Sequence, residues 1–320
     1  MKAIGGYFEL EKEGEGVFPH KNGILLNTGR NALEYILRSL NNINLLYIPF
    51  YTCEVVLEPI KRLNIPYKYY HINHNLEIEK KIDLKSGEYL IVNNYYGIKD
   101  LYLHNIIPVY GKQLIIDCAQ AFFTLPIIGT KMFYSPRKFL GVPDGGIAYG
   151  VNKDNIIRYP KDDSTDRLSH LYIRRDYGAE KGFKTFQDNE EKLNCQEIHQ
   201  MSSFTLEILN KIDYQSIIKK RKENFKYLHQ NLKEYNMFSL PSIDNFTSPM
   251  AYPFISENTN LRKILIDNKI FVARYWPNVN STDDFKTEAF LAESIIPLPI
   301  DQRYGYKEMN KIINIIKNEI

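Results

Sequence analysis

The chain has 320 residues, 44% hydrophobic and 25% charged, an ordinary globular balance that leaves room for one large domain and a smaller one and excludes wholesale disorder. Its 41 basic and 38 acidic residues are scattered, so the net charge of +3 forms no basic stripe and lends nucleic-acid binding little support. Cys53, Cys118 and Cys195 lie far apart with no CxxC pair, which argues against a zinc site or a disulfide framework and fits a reducing cytoplasm.

At the N-terminus, Met1-Lys2-Ala3-Ile4-Gly5-Gly6 leads into Glu9, Glu11 and Glu13 without an apolar targeting segment, and no later run is long enough to span a bilayer. The expectation is a cytoplasmic protein. Asn27-Thr28 is placed to cap a helix whose apolar positions Leu33, Ile36, Leu37 and Leu40 share one face. Short apolar runs follow at 45–50, 67–72, 89–92, 114–116, 132–134 and 146–149, bounded by Pro, Asn, Asp or Gly, and read as buried strands. Strands separated by helical segments imply crossover connections and a mostly parallel sheet. Residues 152–200 are polar and irregular and read as a solvated loop, charged from Arg174 to Lys192. A helical pattern resumes at Met201 (Phe204, Leu206, Ile208, Leu209, Ile212) and continues through Leu228. Strand candidates at 251–255 and 270–275 and a last amphipathic helix carrying Met309, Ile312, Ile313 and Ile316 predict a smaller C-terminal α+β domain. The division expected is 1–210 for the large domain and 211–320 for the small one.

Three segments carry chemistry. Ile115-Ile116-Asp117-Cys118-Ala119-Gln120-Ala121 puts a carboxylate where an apolar strand ends, the usual place for ligand contacts in an open α/β sheet, although an aspartate there is by itself more often a turn or capping residue. Lys138 stands just beyond a strand, three residues after Ser135 and before Gly145-Gly146, as a Schiff-base lysine would; alone it would pass for a surface lysine. An amine used this way must be neutral, and Arg137 beside it either supplies the positive charge that favours neutrality or binds phosphate. Ser135 offers a hydroxyl to a phosphate oxygen, and the two glycines let backbone approach a ring. Asn27-Thr28-Gly29-Arg30-Asn31 feeds a helix N-terminus, a natural cradle for an anion. An anion cradle, an acid for a pyridine nitrogen and an amine for an aldehyde are the parts that pyridoxal 5'-phosphate needs.

With these segments in view, the chain resembles the DegT/DnrJ family of pyridoxal-phosphate-dependent sugar aminotransferases. Thr28-Gly29-Arg30-Asn31-Ala32-Leu33 falls on the family's SGTxAL motif and Pro49-Phe50-Tyr51-Thr52 on its PxxTF motif. Asp117-Cys118-Ala119-Gln120-Ala121 falls on DAAQA with one change, and Ser135-Pro136-Arg137-Lys138 with Gly145-Gly146 falls on the lysine motif. Met201-Ser202 resembles the start of the RMSDLQAA helix, and Leu298-Pro299 the late LP strand.

The resemblance implies an aspartate-aminotransferase-like (fold type I) α/β large domain with a mostly parallel sheet, plus the smaller C-terminal domain. It implies Lys138 as Schiff-base lysine and proton shuttle, Asp117 against the pyridinium nitrogen and Gln120 near the ring hydroxyl. Gly29, Arg30, Asn31 and Ser135 would hold the phosphate. It further implies a homodimer, L-glutamate or a similar amino-group donor, and a keto-sugar acceptor, nucleotide-linked, in polysaccharide or glycoside biosynthesis. Three departures stand out. Cys53 replaces the aromatic that usually stacks on the ring, leaving Tyr51, Tyr95 and Tyr96 as alternatives. Phe133 replaces a serine of the phosphate cup. Ile198-His199-Gln200-Met201-Ser202 replaces the Asn-x-Arg-Met-Ser that reaches the partner subunit's site. Arg274 and Arg174-Arg175 are candidates for a substrate carboxylate or diphosphate. Alternatives are a non-catalytic, regulatory ligand-binding protein of the same fold, or a pyridoxal-phosphate dehydratase or decarboxylase; the presence of Lys138 speaks against the dehydratase branch.

Overall fold

A computed structural model describes residues 3–280 and 284–320. The first half of the chain runs β1 (Ile4–Gly5), β2 (Ile24–Leu26), α1 (Gly29–Arg38), β3 (Leu45–Pro49), α2 (Leu57–Arg62), β4 (Tyr67–Tyr70), β5 (Glu88–Asn93), α3 (Asp100–Tyr110), β6 (Leu114–Cys118), β7 (Lys131–Tyr134) and β8 (Gly146–Tyr149). There follow α4 (Ser169–Tyr177), α5 (Ala179–Glu191), α6 (Ser203–Leu209), α7 (Tyr214–Leu232), β9 (Ala251–Phe254), α8 (Leu261–Asp267), β10 (Ile270–Phe271), α9 (Lys286–Ser294), β11 (Ile296–Pro299) and α10 (Tyr306–Glu319).

Seven strands form one sheet in the order β2-β8-β7-β6-β5-β3-β4. β3 to β7 are parallel, and β8 runs against both of its neighbours. The apolar runs alternate between two covered faces, as a sheet buried on both sides requires. Val92, Ile116 and Met132 pack on one side with Leu103 of α3. Ile91, Ile115 and Phe133 pack on the other with Ala32, Leu33 and Ile36 of α1. Thr28 caps α1, its Oγ1 accepting from the Asn31 N–H at 3.1 Å, an arrangement that typically contributes about 1 kcal/mol.

The expected strands are all present, with two short ones added. β2 pairs antiparallel with β8, and β1 pairs in parallel with β10, so the first residues of the chain lie against its last third. The strand expected at 270–275 stops at Phe271. The expected long helix after Met201 is broken at Asn210–Asp213, because the Asp213 carboxylate accepts the Ser216 N–H at 3.0 Å and opens α7 afresh.

The stretch 152–200 is not the solvated loop expected. It holds α4 and α5, packed on each other. Their inner face hides from an apolar count because it is partly polar: His170, Arg174 and Asn189 are buried beside Leu171 and Ala179, and the Asn189 amide meets His170 Nδ1 at 2.7 Å. Satisfied polar groups can stand in a core where an apolar period would otherwise be read. In the C-terminal part, β9 and β11 form an antiparallel pair, with Leu228 and Leu232 of α7 and Met309, Ile312, Ile313 and Ile316 of α10 buried in the same core.

Candidate active site

The parallel strands end side by side, and their last residues build a cleft. Register places Asn93 of β5 opposite Asp117 of β6. Beyond β7 the chain turns through a single 3-10 turn, Pro136–Lys138, which brings Lys138 to the same edge. The cleft is lined by Thr52, Cys53, Asn93, Asp117, Gln120, Lys138 and Trp276, together with Asn94 and Ala119.

Asp117 is buried, and its carboxylate accepts from the Ala119 N–H at 2.7 Å. Burial pushes its pKa above the usual carboxylate range, and the Lys138 ammonium pulls it back down. The Lys138 amine makes no hydrogen bond or close ion pair among the described residues. Gln120 Oε1 accepts from the Tyr96 N–H at 2.8 Å, and Asn93 Nδ2 donates to Thr52 Oγ1 at 2.9 Å. Their other ends, Gln120 Nε2 and Asn93 Oδ1, are buried and have no hydrogen-bond partner among the described residues. Such groups are costly to leave unpaired, and two of them in one cleft mark a place kept for a polar ligand. A charged amine, a buried carboxylate, an unpaired amide donor and an unpaired acceptor fit the amine, ring nitrogen and ring oxygen chemistry of pyridoxal phosphate.

The start of α1, expected from the sequence to cradle an anion, packs on the segments that flank Lys138. Gly29, the first residue of α1, sits so close to Ser135 that a Cβ there would lie 3.3 Å from the serine Cβ. Gly146 packs its backbone on the Thr28 carbonyl, where any Cβ would collide, and Gly145 closes on Pro136. These glycines, expected to let backbone approach a ring, instead let backbone approach backbone and bind the lysine turn to the cap of α1. The side chains of Arg30 and Asn31 turn to the protein itself. Arg30 Nη1 donates to Glu58 at 2.9 Å and to Asn194 at 2.8 Å. Asn31 Nδ2 donates to Asn27 at 2.7 Å and to the Glu197 carbonyl at 2.8 Å.

Of the residues considered for ring contact, only Cys53 reaches the cleft. Tyr51, Tyr95 and Tyr96 are buried beside it, with the Tyr51 and Tyr96 hydroxyls 3.1 Å apart and the Tyr95 hydroxyl donating to the Tyr51 carbonyl at 2.7 Å. Thr52, Asn93 and Trp276 line the cleft without having been singled out from the sequence. Asn93 carries a signal of its own, since Leu90-Ile91-Val92-Asn93 repeats the pattern of Ile115-Ile116-Asp117: an apolar strand ending in a polar side chain.

Lys138 also borders a second, larger cavity of about 800 Å³, whose walls include Gly6, Tyr7, Val142, Phe183 and Tyr275. Arg174 lies in that wall, its Nε donating to Glu9 at 3.1 Å and its Nη2 to the Gly5 carbonyl at 2.7 Å. Arg221, missed in the sequence, is buried there with only carbonyl and amide oxygens as partners, and burial lowers its pKa to about 10. Arg137 is ion-paired with Glu190. Arg175 and Arg274 lie outside the cavity, half-exposed and paired with Asp176 and Glu293.

No family model matches the chain, and no curated protein matches it in sequence. Solved structures do. The aminotransferase TlmJ from Streptoalloteichus hindustanus is 12% identical, with 99% of this chain and 98% of that one aligned at a TM-score of 0.66. The sugar aminotransferase CalS13 from Micromonospora echinospora is 14% identical, over 95% and 89% of the two chains, at a TM-score of 0.61. PseC, a Helicobacter pylori aminotransferase involved in the biosynthesis of pseudoaminic acid, is 13% identical over 93% and 86%, at 0.61. The chain has the aminotransferase fold. The fold class expected from the motifs, a mostly parallel α/β sheet with a smaller α+β part, is therefore the one found. Within this fold, no group of three or more His, Cys, Asp or Glu among the described residues is arranged to hold a metal ion, and no described helix is long and apolar enough to cross a membrane.

Proposed function

We propose that the chain is a pyridoxal-phosphate-dependent aminotransferase that moves an amino group from L-glutamate or a similar donor to a keto-sugar, nucleotide-linked as the resemblance implies. The observation that carries this reading is the free amine of Lys138 facing the buried carboxylate of Asp117 across a cleft that also presents two unpaired polar atoms. Pyridoxal phosphate, when bound, supplies an aldehyde for the amine and a protonated ring that withdraws electrons from the substrate carbon. Asp117 would hold the proton on the ring nitrogen, and that charge would add to Lys138 as a counter-charge for the buried carboxylate. Gln120 Nε2 donates to the ring oxygen. Gly29, Arg30 and Asn31 contribute the first turn of α1 to the phosphate, with the Ser135 hydroxyl as a further donor. Lys138 is the residue that would hold the cofactor through its aldehyde and, once freed by the donor amine, would take the proton from the substrate carbon at Nζ and return it.

The larger cavity that Lys138 also borders takes the substrates; Arg174 and Arg221 stand in its wall beside Glu180, Glu190 and Asp301. CalS13 is a sugar aminotransferase and PseC serves pseudoaminic acid biosynthesis, which supports a sugar acceptor made for a polysaccharide or glycoside. The division at 1–210 and 211–320, the homodimer and the cytoplasmic location belong to the same proposal. Light scattering tests the homodimer, and a monomeric active species contradicts it.

Borohydride reduction of the protein loaded with pyridoxal phosphate, followed by peptide mapping, tests the assignment; the adduct is expected on Lys138. Adding glutamate to the loaded protein should bleach its yellow band and yield 2-oxoglutarate. Colour that no amino acid changes would favour a ligand-binding protein of the same fold, a reading to which Cys53 and the narrowness of the cleft give some ground.

A further inference from the structure

The cleft beside Asp117 has free space of about 10 Å³, room for no more than one water. A ring enters only if a wall gives way. Asn93 and Asp117 stand on the ends of central strands, and Gln120 is fixed through Tyr96. Trp276 is different. It belongs to the irregular connection after β10, and its backbone holds φ +56°, a conformation that a bulky residue rarely adopts. Surroundings must impose such strain, and here they are identifiable. The indole stands edge-on to Tyr51, with ring centres 4.4 Å apart, and near-perpendicular to Tyr95 at 5.7 Å. Two residues on, Asn278 Nδ2 donates to the Thr52 carbonyl at 3.1 Å and ties the connection to the segment that carries Cys53. The only tryptophan of the chain is thus held in the wall of the cleft, which a cysteine too small to cover a ring also lines.

We propose that Trp276 is the aromatic face of the cofactor ring: the C-terminal part of the chain supplies, across the cleft, the stacking surface that Cys53 does not. The indole swings off its edge-on seat when the ring enters and closes over it. This rests on the reading of the cleft as a pyridoxal-phosphate site, and one titration separates the two claims. Cofactor-free protein is titrated with pyridoxal 5'-phosphate while absorbance and tryptophan emission are followed, and samples are reduced with borohydride and mapped. The expected result is an adduct on Lys138 with strong quenching of Trp276. Dissociation constants are then compared for Trp276→Phe, which keeps a π face, and Trp276→Leu, which keeps apolar bulk without one. Trp276→Phe should bind within about threefold of the parent and Trp276→Leu about tenfold more weakly, as loss of one stacked face predicts. Equal affinity of the leucine and phenylalanine variants, or an adduct on Lys138 with unchanged emission, overturns the role of Trp276 and leaves the site standing. Absence of any adduct on Lys138 overturns the site itself, and this inference with it.

Discussion

Replacing Asp117 with asparagine should stabilise the cofactor-free protein while spoiling the site. The carboxylate is buried; among the described residues it accepts one hydrogen bond, from Ala119, and Lys138 is the counter-charge that acts on it. Burial holds its folded pKa above the ordinary aspartate value, so the folded state holds the proton more tightly than the unfolded chain does. The stability linked to that proton is full below the unfolded pKa and is lost as pH rises through the folded one. At neutral pH the ionised group is therefore a net cost to folding. Desolvation of a buried carboxylate amounts to several kcal/mol, and the Ala119 bond and Lys138 offset most of it, leaving on the order of 1 kcal/mol. Asparagine keeps an oxygen for the Ala119 N–H and removes the charge. For a chain of this length the gain corresponds to about 2 °C in melting temperature. Calorimetry of both proteins from about pH 4 to about pH 8 should show the variant melting higher at neutral pH, with the gap closing toward acid. Added pyridoxal phosphate should raise the parent's melting point more than the variant's. A variant that melts lower at neutral pH, or a gap that does not change with pH, would refute this account of the carboxylate.

Lys138→Ala should lose the borohydride-trapped adduct and stay folded, losing on the order of 1 kcal/mol at neutral pH by chemical denaturation, because the buried Asp117 carboxylate loses its counter-charge. Glu34→Ala should spare the adduct and lower stability. Glu34 is buried and bonds Arg38 at 2.7 Å and Arg62 at 2.8 Å; Arg38 is half-exposed and Arg62 keeps Glu58 and the Gln196 carbonyl, so its removal should cost about 1–2 kcal/mol, read as a fall in the denaturation midpoint.

How much of this was legible in the sequence depended on whether chemistry and local pattern coincided. The central strands were legible because each is a short apolar run with a polar stop. α1 was legible because its cap and its apolar stripe are both local. The same logic marked Asp117 and Lys138, and would have marked Asn93 had the repeated strand ending been noticed. α4 and α5 were missed because their buried face includes His170, Arg174 and Asn189, whose hydrogen bonds (Asn189 with His170, Arg174 with Glu9 and the Gly5 carbonyl) leave no trace in an apolar count. Trp276 and Arg221 were missed for a different reason. Each comes to the site from the last third of the chain, and only the packing of that part on the sheet gives them a role.

The position of Lys138 between two spaces bears on how one amine serves two tasks. A residue that binds a cofactor and then passes a proton to and from a substrate must reach both without moving its backbone. Lys138 borders the small polar cleft on one side and the 800 Å³ cavity on the other, so rotation of its side chain alone suffices. The backbone beneath it is fixed by contacts that leave no space for a side chain: Gly145 on Pro136 and Gly146 on Thr28. Thr28 is also the cap of α1, so one packing contact sets both the anion cradle and the lysine turn. Under the proposed function, the distance between a phosphate at the helix terminus and the amine would then be a property of the backbone, insensitive to the side chains that differ here from the family pattern. That is why Phe133 and Cys53 can depart from it while the order of glycine turn, carboxylate and lysine is kept.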